Sequence, residues 1–281
     1  VKGNSDSLPD TLNPIFKGPG ARSKVRSEGG HGVWTPAEGL ADLYISMGET
    51  AENVAELKGV SRQAMDEYGV MSQHKAEAAI NRGFFELDIT PIQLPDGTII
   101  SKDDGPRAGV TLEAVSQMKP AFRPDGRVTA ANACPLNDGA AAVVVMSRKR
   151  AEELGITPLA RIISSSVSAL NPEIMGLGPI EAIKKALERA GMTMKDIDLV
   201  EINEAFAAQV IPSADELGID MVNQLNVNGG AIALGHPFGQ TGARIMTTLI
   251  NGLTDSDKTF GLESMCVGGG QGMAMVIERL S

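Results

Sequence analysis

The chain has 281 residues, 42% of them hydrophobic and 21% charged, which suits a globular protein and is enough to build one large or two modest cores. A net charge of −10 argues against broad nucleic-acid binding and leaves any anionic ligand to local cations and backbone N–H groups. Two cysteines, no apolar run long enough to cross a membrane and no charged-then-apolar leader point to a reducing cytosol, away from disulfide-built or secreted classes.

In chain order, residues 1 to about 45 are rich in Gly, Pro, Ser and charge and read as irregular loop with no helix start. "MGETAENVAELKGVSRQAMDEYGVMSQHKAEAAINRG" has helical period, with Thr50 and Ser61 as N-caps and Gly83 as the stop. "FFELDITPIQLPDGTII" reads as a hairpin turning at Asp96-Gly97, and "TLEAVSQM" as a short helix. "RVTAANACPLNDGAAAVVVMS" reads as strand, tight loop, buried small-residue segment and strand. "SRKRAEELG" is a capped helix from Ser147 to Gly155, and "LARIISSSVSAL" a strand. "GPIEAIKKALERAG" is an amphipathic helix: Pro179 suits its first turn, Ile180, Ile183, Ala186, Leu187 and Ala190 share a face, and Gly191 ends it. Then follow a strand "DLVEIN", a helix "EAFAAQVIPSADELG" that Pro212 is placed to interrupt, and a helix "QTGARIMTTLING". "FGLESMCVGGG" and "GMAMVIERL" close the chain as a strand pair around a glycine bend. The alternation predicts an α/β layered domain over 153–281.

Three polar side chains in the last third sit at predicted strand ends beside glycines or small residues: Asn203, His236 and Cys266. Each has a plain structural reading. Asn203 suits a helix N-cap, His236 a satisfied structural histidine and Cys266 an inert buried thiol. Together they suggest chemistry, because His and Cys exchange protons near neutral pH and glycines let backbone N–H groups approach a reacting atom.

These same segments, "NEAFAAQ", "NVNGGAIALGHPFGQTGARI" and "CVGGGQGMAMVIE", resemble the C-terminal signatures of thiolases, the acetyl-CoA C-acyltransferases. "MGETAENVA", "KPAFRPDG" and "TAANACPLNDGAAAV" resemble further thiolase segments, so the likeness runs in order from about Met47 to Leu280. The wording of "GHPFGQTGAR" and "CVGGGQG" is more similar to degradative 3-ketoacyl-CoA thiolases than to biosynthetic acetoacetyl-CoA enzymes. The resemblance implies a layered α-β-α-β-α fold with an inserted loop domain. It places a CoA-covering loop domain at 1–120, the tail of the N-terminal core half at 121–152 and the C-terminal core half at 153–281. The rest of the first half, with the family's nucleophilic "CxSG" cysteine, is not within these residues. It is expected in cis or from another chain, and the fragment alone is expected to be unstable and inactive.

By the same resemblance, His236 activates the nucleophilic thiol and donates to the thioester oxygen, and Asn203 holds a water of that oxyanion hole. The backbone N–H of Gly268 serves a second hole. Cys266 moves the second proton, a task suited to a thiol near its ordinary pKa. Arg107 is the matching cation for the nucleotide end of CoA, with a solvated surface arginine as the competing reading. Cys134, Leu136, Phe122, Ala205, Phe206, Met47 and Met175 line the pantetheine or acyl pocket, unless they simply pack the core. Ser46 and Ala114 depart from residues that some relatives carry. CoA enters as substrate and no resident cofactor or metal is implied. A cytoplasmic homodimer or homotetramer working in fatty acid β-oxidation is the expected setting. Two other readings stand: a CoA-binding partner without catalysis, and a ketosynthase-type condensing enzyme, which would carry a different residue in place of Cys266.

Overall fold

The computed structural model describes residues 13–281. Its core is a four-stranded sheet of β3 (Ala160–Ala169), β6 (Gln271–Arg279), β5 (Phe260–Val267) and β4 (Leu199–Ile202), in that spatial order. β6 pairs antiparallel with both β3 and β5, and β4 pairs parallel with β5. All four residues of β4 are buried. Side chains alternate across a strand, so Leu199 joins one core and Val200 and Ile202 the other. Helix α9 (Thr241–Asp255) supplies Met246, Leu249 and Leu253 to the first, while α6 (Gly178–Ala190) supplies Ala182, Ile183, Ala186 and Leu187 to the second. This two-sided burial explains why β4 is apolar almost throughout.

The serines of "ISSSVSA" fasten α6 to β3. Ser164, Ser166 and Ser168 share one strand face and donate to the carbonyls of Ala186, Ala182 and Gly178. Two residues of strand advance about 6.6 Å and four residues of helix about 6 Å, so the two ladders match. Each buried hydroxyl thereby finds an acceptor.

The first part of the chain is built onto this sheet layer. Helices α2 (Met47–Lys58) and α3 (Arg62–Asn81) pack against α7 (Ala207–Leu217), and α3 also packs against the short α8 (Ala231–Leu234). One hydrophobic cluster therefore holds Ala51, Ala55, Met65 and Tyr68 together with Ile183, Ile202 and Val276. Arg123 is buried against α2, where it pairs with Glu49 and Glu56 and donates to Asn53. A hairpin of β1 (Ile92–Gln93) and β2 (Ile99–Ile100) turns at Asp96-Gly97 as expected, and α4 (Leu112–Ser116) and α5 (Arg148–Leu154) match their predicted segments. No helix among the described residues is long and apolar enough to cross a membrane.

Four expectations are corrected. Residues 13–45 are not all loop: a 3-10 turn at Pro14–Phe16, capped by Asn13, leads into α1 (Lys17–Ser27). This helix has no apolar stripe and is placed by ion pairs, Arg22 to Glu173 and Arg26 to Glu56. The first twelve residues of the predicted loop lie outside the described residues. Ser46, not Thr50, caps α2, because Ser46 is extended and accepts from Glu49 N–H while Thr50 is already helical. Pro212 does not interrupt α7, which runs through it. "RVTAANACPLNDGAAAVVVMS" forms neither predicted strand, and its small-residue segment is exposed rather than buried. Within it only Ala133 finds a bridge partner, Phe206, and Val144 is 85% exposed. Strand character needs a neighbour to pair with, and among the described residues no strand pairs with this stretch.

The tie between the two layers is Glu204, two residues after β4. Its buried carboxylate accepts from Tyr68 and Ser72 on α3, from Asn226, and from the backbone N–H of Ile232. Tyr68 is held well above its ordinary pKa by burial and by the Glu204 charge, so it stays a donor. Glu204→Ala should cost about 3 kcal/mol or more in the intact protein, read by urea unfolding, because several buried donors lose their only acceptor. A loss below about 1 kcal/mol would show that water or repacking replaces the carboxylate.

Candidate active site at the carboxyl ends of β4 and β5

The parallel pair β4–β5 ends at Ile202 and Val267, and the chain leaving each end carries a candidate group. Ligands in α/β sheets gather beyond such carboxyl ends. Asn203 follows β4 directly, and its backbone N–H donates to Ser264 O at 3.0 Å. The residue is 1% exposed, yet neither its Nδ2 nor its Oδ1 has a partner among the described residues. Buried amides are almost always hydrogen-bonded, so this one is matched to a group outside them. It is not the N-cap of α7, whose cap position is Phe206.

Cys266 lies near the end of β5. Its Sγ donates to Gln209 Oε1 at 2.8 Å, and Gln209 Nε2 donates to Asn203 O at 3.0 Å. Burial pushes the thiol up to about 12, with the nearby Cys134 thiol adding to the rise. The expectation of a thiol near its ordinary pKa is therefore corrected: Cys266 rests firmly as the acid. Cys134, whose N–H donates to Ala205 O at 3.0 Å, is likewise pushed up by burial, to about 11.

His236 stands between Gly235 and Pro237. Gly235 is left-handed, with φ +89°, and a Cβ there would lie 2.4 Å from Asn137 Nδ2. Glycine thus lets Asn137 close over the loop, where its Oδ1 accepts His236 N–H at 2.9 Å. The imidazole Nδ1 meets Thr241 Oγ1 at 2.6 Å, and that hydroxyl donates to Pro237 O at 3.0 Å. A hydroxyl has one hydrogen, so with that hydrogen on Pro237 O it is Nδ1–H that donates to Thr241. The neutral ring then keeps its lone pair at Nε2. Burial, then the positive charge of Arg244, lowers the pKa to about 4, so the ring is neutral at pH 7. Residues 136–139 and 236–239 line a cleft of about 530 Å3 here.

The remaining candidates divide into groups. Ala205 and Phe206 leave β4 next to Asn203, and Cys134 is bonded to Ala205. The Phe206 ring meets Phe122 edge-on at 6.2 Å, and Gly48 of α2 lies against Phe122 with Met47 half-exposed beside it. Cys134, Ala205, Phe206, Phe122 and Met47 thus gather in one neighbourhood through these contacts and their chain neighbours. Leu136 is 85% exposed and lines the His236 cleft. Met175 is buried, and the next residue, Gly176, lies against Gln209; the core reading fits it. Gly268 is exposed in the β5–β6 turn, its carbonyl accepting from Gln271. Arg107 is exposed on a loop, where its backbone N–H donates to Gln73 of α3. Ser46 serves as a helix cap, and Ala114 lies in the first turn of α4. Among the described residues no three His, Cys, Asp or Glu side chains gather to hold a metal ion. Gln209, Thr241, Asn137 and Glu204 carry no role in the sequence reading, although all four lie inside the quoted thiolase-like segments.

Comparison with known proteins gives two family matches: "Thiolase, N-terminal domain" over residues 13–149 and "Thiolase, C-terminal domain" over residues 156–279. The acetyl-CoA acetyltransferase of Cupriavidus necator is 50% identical over 248 residues, 86% of this chain and 63% of its own length. The acetyl-CoA acetyltransferase of Escherichia coli is 50% identical over 238 residues, 84% of this chain and 60% of its own length. The chain thus spans under two thirds of the length of these relatives. The crystal structure of the Bacillus anthracis acetyl-CoA acetyltransferase superposes with a TM-score of 0.81 at 48% identity, over 83% of this chain and 60% of that one. Human mitochondrial 3-ketoacyl-CoA thiolase gives 0.79 at 40% identity, over 85% and 61%.

The proton positions generate a test. By 15N NMR of the intact protein, His236 should titrate with a midpoint near 4 and carry its neutral-state proton on Nδ1. In Thr241→Val the two tautomers should mix. The depressed pKa also sets a sign for stability: the neutral ring's contribution is complete above pH 6.5 and is lost as pH falls toward about 4. A midpoint near 6.5, or a proton on Nε2 in the unmutated protein, would contradict this assignment.

Proposed function

The chain belongs to the thiolase family, and on that premise we propose that its site transfers acyl groups between 3-ketoacyl-CoA and CoA through an acyl-cysteine. The observation that carries the reading is the unpartnered Asn203 amide, on a residue linked through Gln209 to Cys266, together with the neutral His236. The acyl-carrying thiol is neither Cys134 nor Cys266, since neither lies in a "CxSG" segment; it comes from residues outside these 281, in cis or from another chain. His236 Nε2 accepts that thiol's proton, and the thiolate adds to the C3 ketone of 3-ketoacyl-CoA. The Gly268 N–H receives the resulting C3 oxyanion, while His236, now N–H at both nitrogens, and a water on Asn203 donate to the thioester oxygen on which the enolate charge develops. The bond between C2 and C3 then breaks, leaving an acyl-enzyme and the enolate of acetyl-CoA, which takes the Cys266 proton. CoA–SH next returns a proton to Cys266 and attacks the acyl-enzyme, whose carbonyl oxygen still faces the Gly268 N–H; the acyl group leaves as acyl-CoA, and the released nucleophilic thiolate takes its proton back from His236. Each oxyanion donor contributes about 3–4 kcal/mol.

A thiol at about 12 suits this order, because Cys266 enters the cycle as an acid and is a strong base only once it has given its proton away. The neighbourhood of Cys134, Ala205, Phe206, Phe122 and Met47 is apolar, as a pantetheine arm needs. Arg107, exposed and free to stack or pair, serves the nucleotide end. CoA enters as substrate, and no resident cofactor is required. The degradative direction rests on the wording of "GHPFGQTGAR", while the relatives at 50% identity carry the name acetyl-CoA acetyltransferase. The setting we read is a cytoplasmic homo-oligomer working in β-oxidation, supported by the two free cysteines and the family. The position of the two cysteines also supports a second reading, a CoA-binding partner without chemistry.

CoA-dependent loss of 3-ketoacyl enolate absorbance decides between them. The intact protein should consume acetoacetyl-CoA or a longer 3-ketoacyl-CoA; no loss with either would favour the binding partner. Cys266→Ala should lower turnover by about 100-fold or more while a trapped acyl-enzyme still forms, and His236→Ala should slow acyl-enzyme formation itself. Acylation that is untouched by His236→Ala would remove that residue from its role.

A further inference from the structure

The amide of Gln209 joins two of the proposed catalytic groups, and no step above uses it. We propose that Gln209 is a positioning residue that holds Cys266 as a thiol at rest and fixes where its hydrogen points. The proposal rests on the acyl-transfer reading for its catalytic consequence, though not for the contact itself.

Donors and acceptors around Gln209 can be counted. A glutamine side chain offers one acceptor atom, Oε1, and two N–H groups on Nε2. Nε2 donates to Asn203 O at 3.0 Å; turning the amide over would set two oxygens against each other. Oε1 therefore faces Cys266, 2.8 Å from Sγ. Oε1 has no hydrogen, so the sulfur must supply it. A thiolate in that place would meet the negative end of a carbonyl dipole inside a buried site, and the thiol is favoured.

Gln209 has little freedom to turn away. It is 1% exposed in the first turn of α7. Its N–H donates to Phe206 O at 3.1 Å, and its carbonyl accepts from Ser213 Oγ at 2.7 Å. Gly176 presses on it so closely that a Cβ there would come 2.9 Å from Gln209 Cβ. The same amide grips the backbone of Asn203, whose own side chain is the unpartnered one. One rigid group therefore sets the spacing between the water-holding residue and the proton carrier. It keeps a proton ready for the enolate and makes the thiolate left behind eager to take one back from CoA–SH.

The test reads the contact and its consequence separately. An infrared difference between the intact wild-type enzyme and its Cys266→Ala variant isolates the Cys266 S–H stretching band. The band should lie at the lowered frequency of a hydrogen-bonded thiol and rise in Gln209→Leu. In that variant kcat should fall about tenfold or more with KM changed less than about twofold, the loss of one buried hydrogen bond, while trapped acyl-enzyme still forms. Gln209→Glu should keep the lowered band and most of kcat, because burial holds its carboxyl neutral with one donor and one acceptor. Gln209→Met, of similar length without the amide, repeats the comparison if the leucine variant does not fold. A band that stays put in the apolar variants overturns the contact. A band that moves while kcat does not, or a glutamate variant as poor as leucine, overturns the positioning role. A wild-type enzyme inactive on every 3-ketoacyl-CoA overturns the acyl-transfer reading and the catalytic half of the proposal, whatever the band shows.

Discussion

One buried carboxylate, Glu204, sets the position of nearly everything at the site. It sits one residue beyond Asn203 and binds α3 on one side and the Asn226–Ile232 segment on the other. That segment leads within four residues to His236. A charged group this deep is tolerable only because each oxygen is met by donors from different elements, and those elements can meet it in one arrangement only. Gly230 shows the tightness: a Cβ there would come 2.2 Å from the Glu204 carboxyl. The strand end, the histidine loop and the helix pair are thus locked by electrostatic satisfaction rather than by apolar packing alone.

Around this tie the site keeps its protons in opposed states. Burial acts on both groups, and it disfavours charge in both: it lowers the imidazole to about 4 and raises the Cys266 thiol to about 12. The result is a neutral base and a neutral acid at pH 7. Neither needs an ion partner, and each is held by a neutral neighbour, Thr241 for the ring and Gln209 for the thiol. Charge appears only when substrate chemistry creates it, and there the Asn203 amide and Nε2 have not been spent on other partners.

How much of this was legible in the sequence follows from the range of the forces involved. Helix α6 and the β5–β6 pair were plain, because apolar period, Pro179, Gly191 and the glycine bend are all local signals. Helix α1 was not, since its place depends on Glu173 and Glu56, far along the chain. Residues 139–147 carry β-favouring valines, but propensity without a neighbouring strand does not make a ladder. Asn203, His236 and Cys266 stood out because glycine framing is visible in one dimension. Gln209 and Thr241 did not, because an amide or a hydroxyl gains its role only from what lies opposite. The shift of Cys266 was equally hidden, for burial is a property of the fold and not of the tetrapeptide around the cysteine.

The most direct test of the account is a crystal structure of the intact protein with a CoA thioester bound. With the nucleophile's proton carried on His236 Nε2, the thioester oxygen should lie within hydrogen-bond distance of that nitrogen and of a water held by Asn203, with Cys266 Sγ facing the reacting carbon and its Gln209 contact intact. A thioester seated elsewhere, or an Asn203 amide that turns to the protein and leaves the ligand untouched, would contradict it.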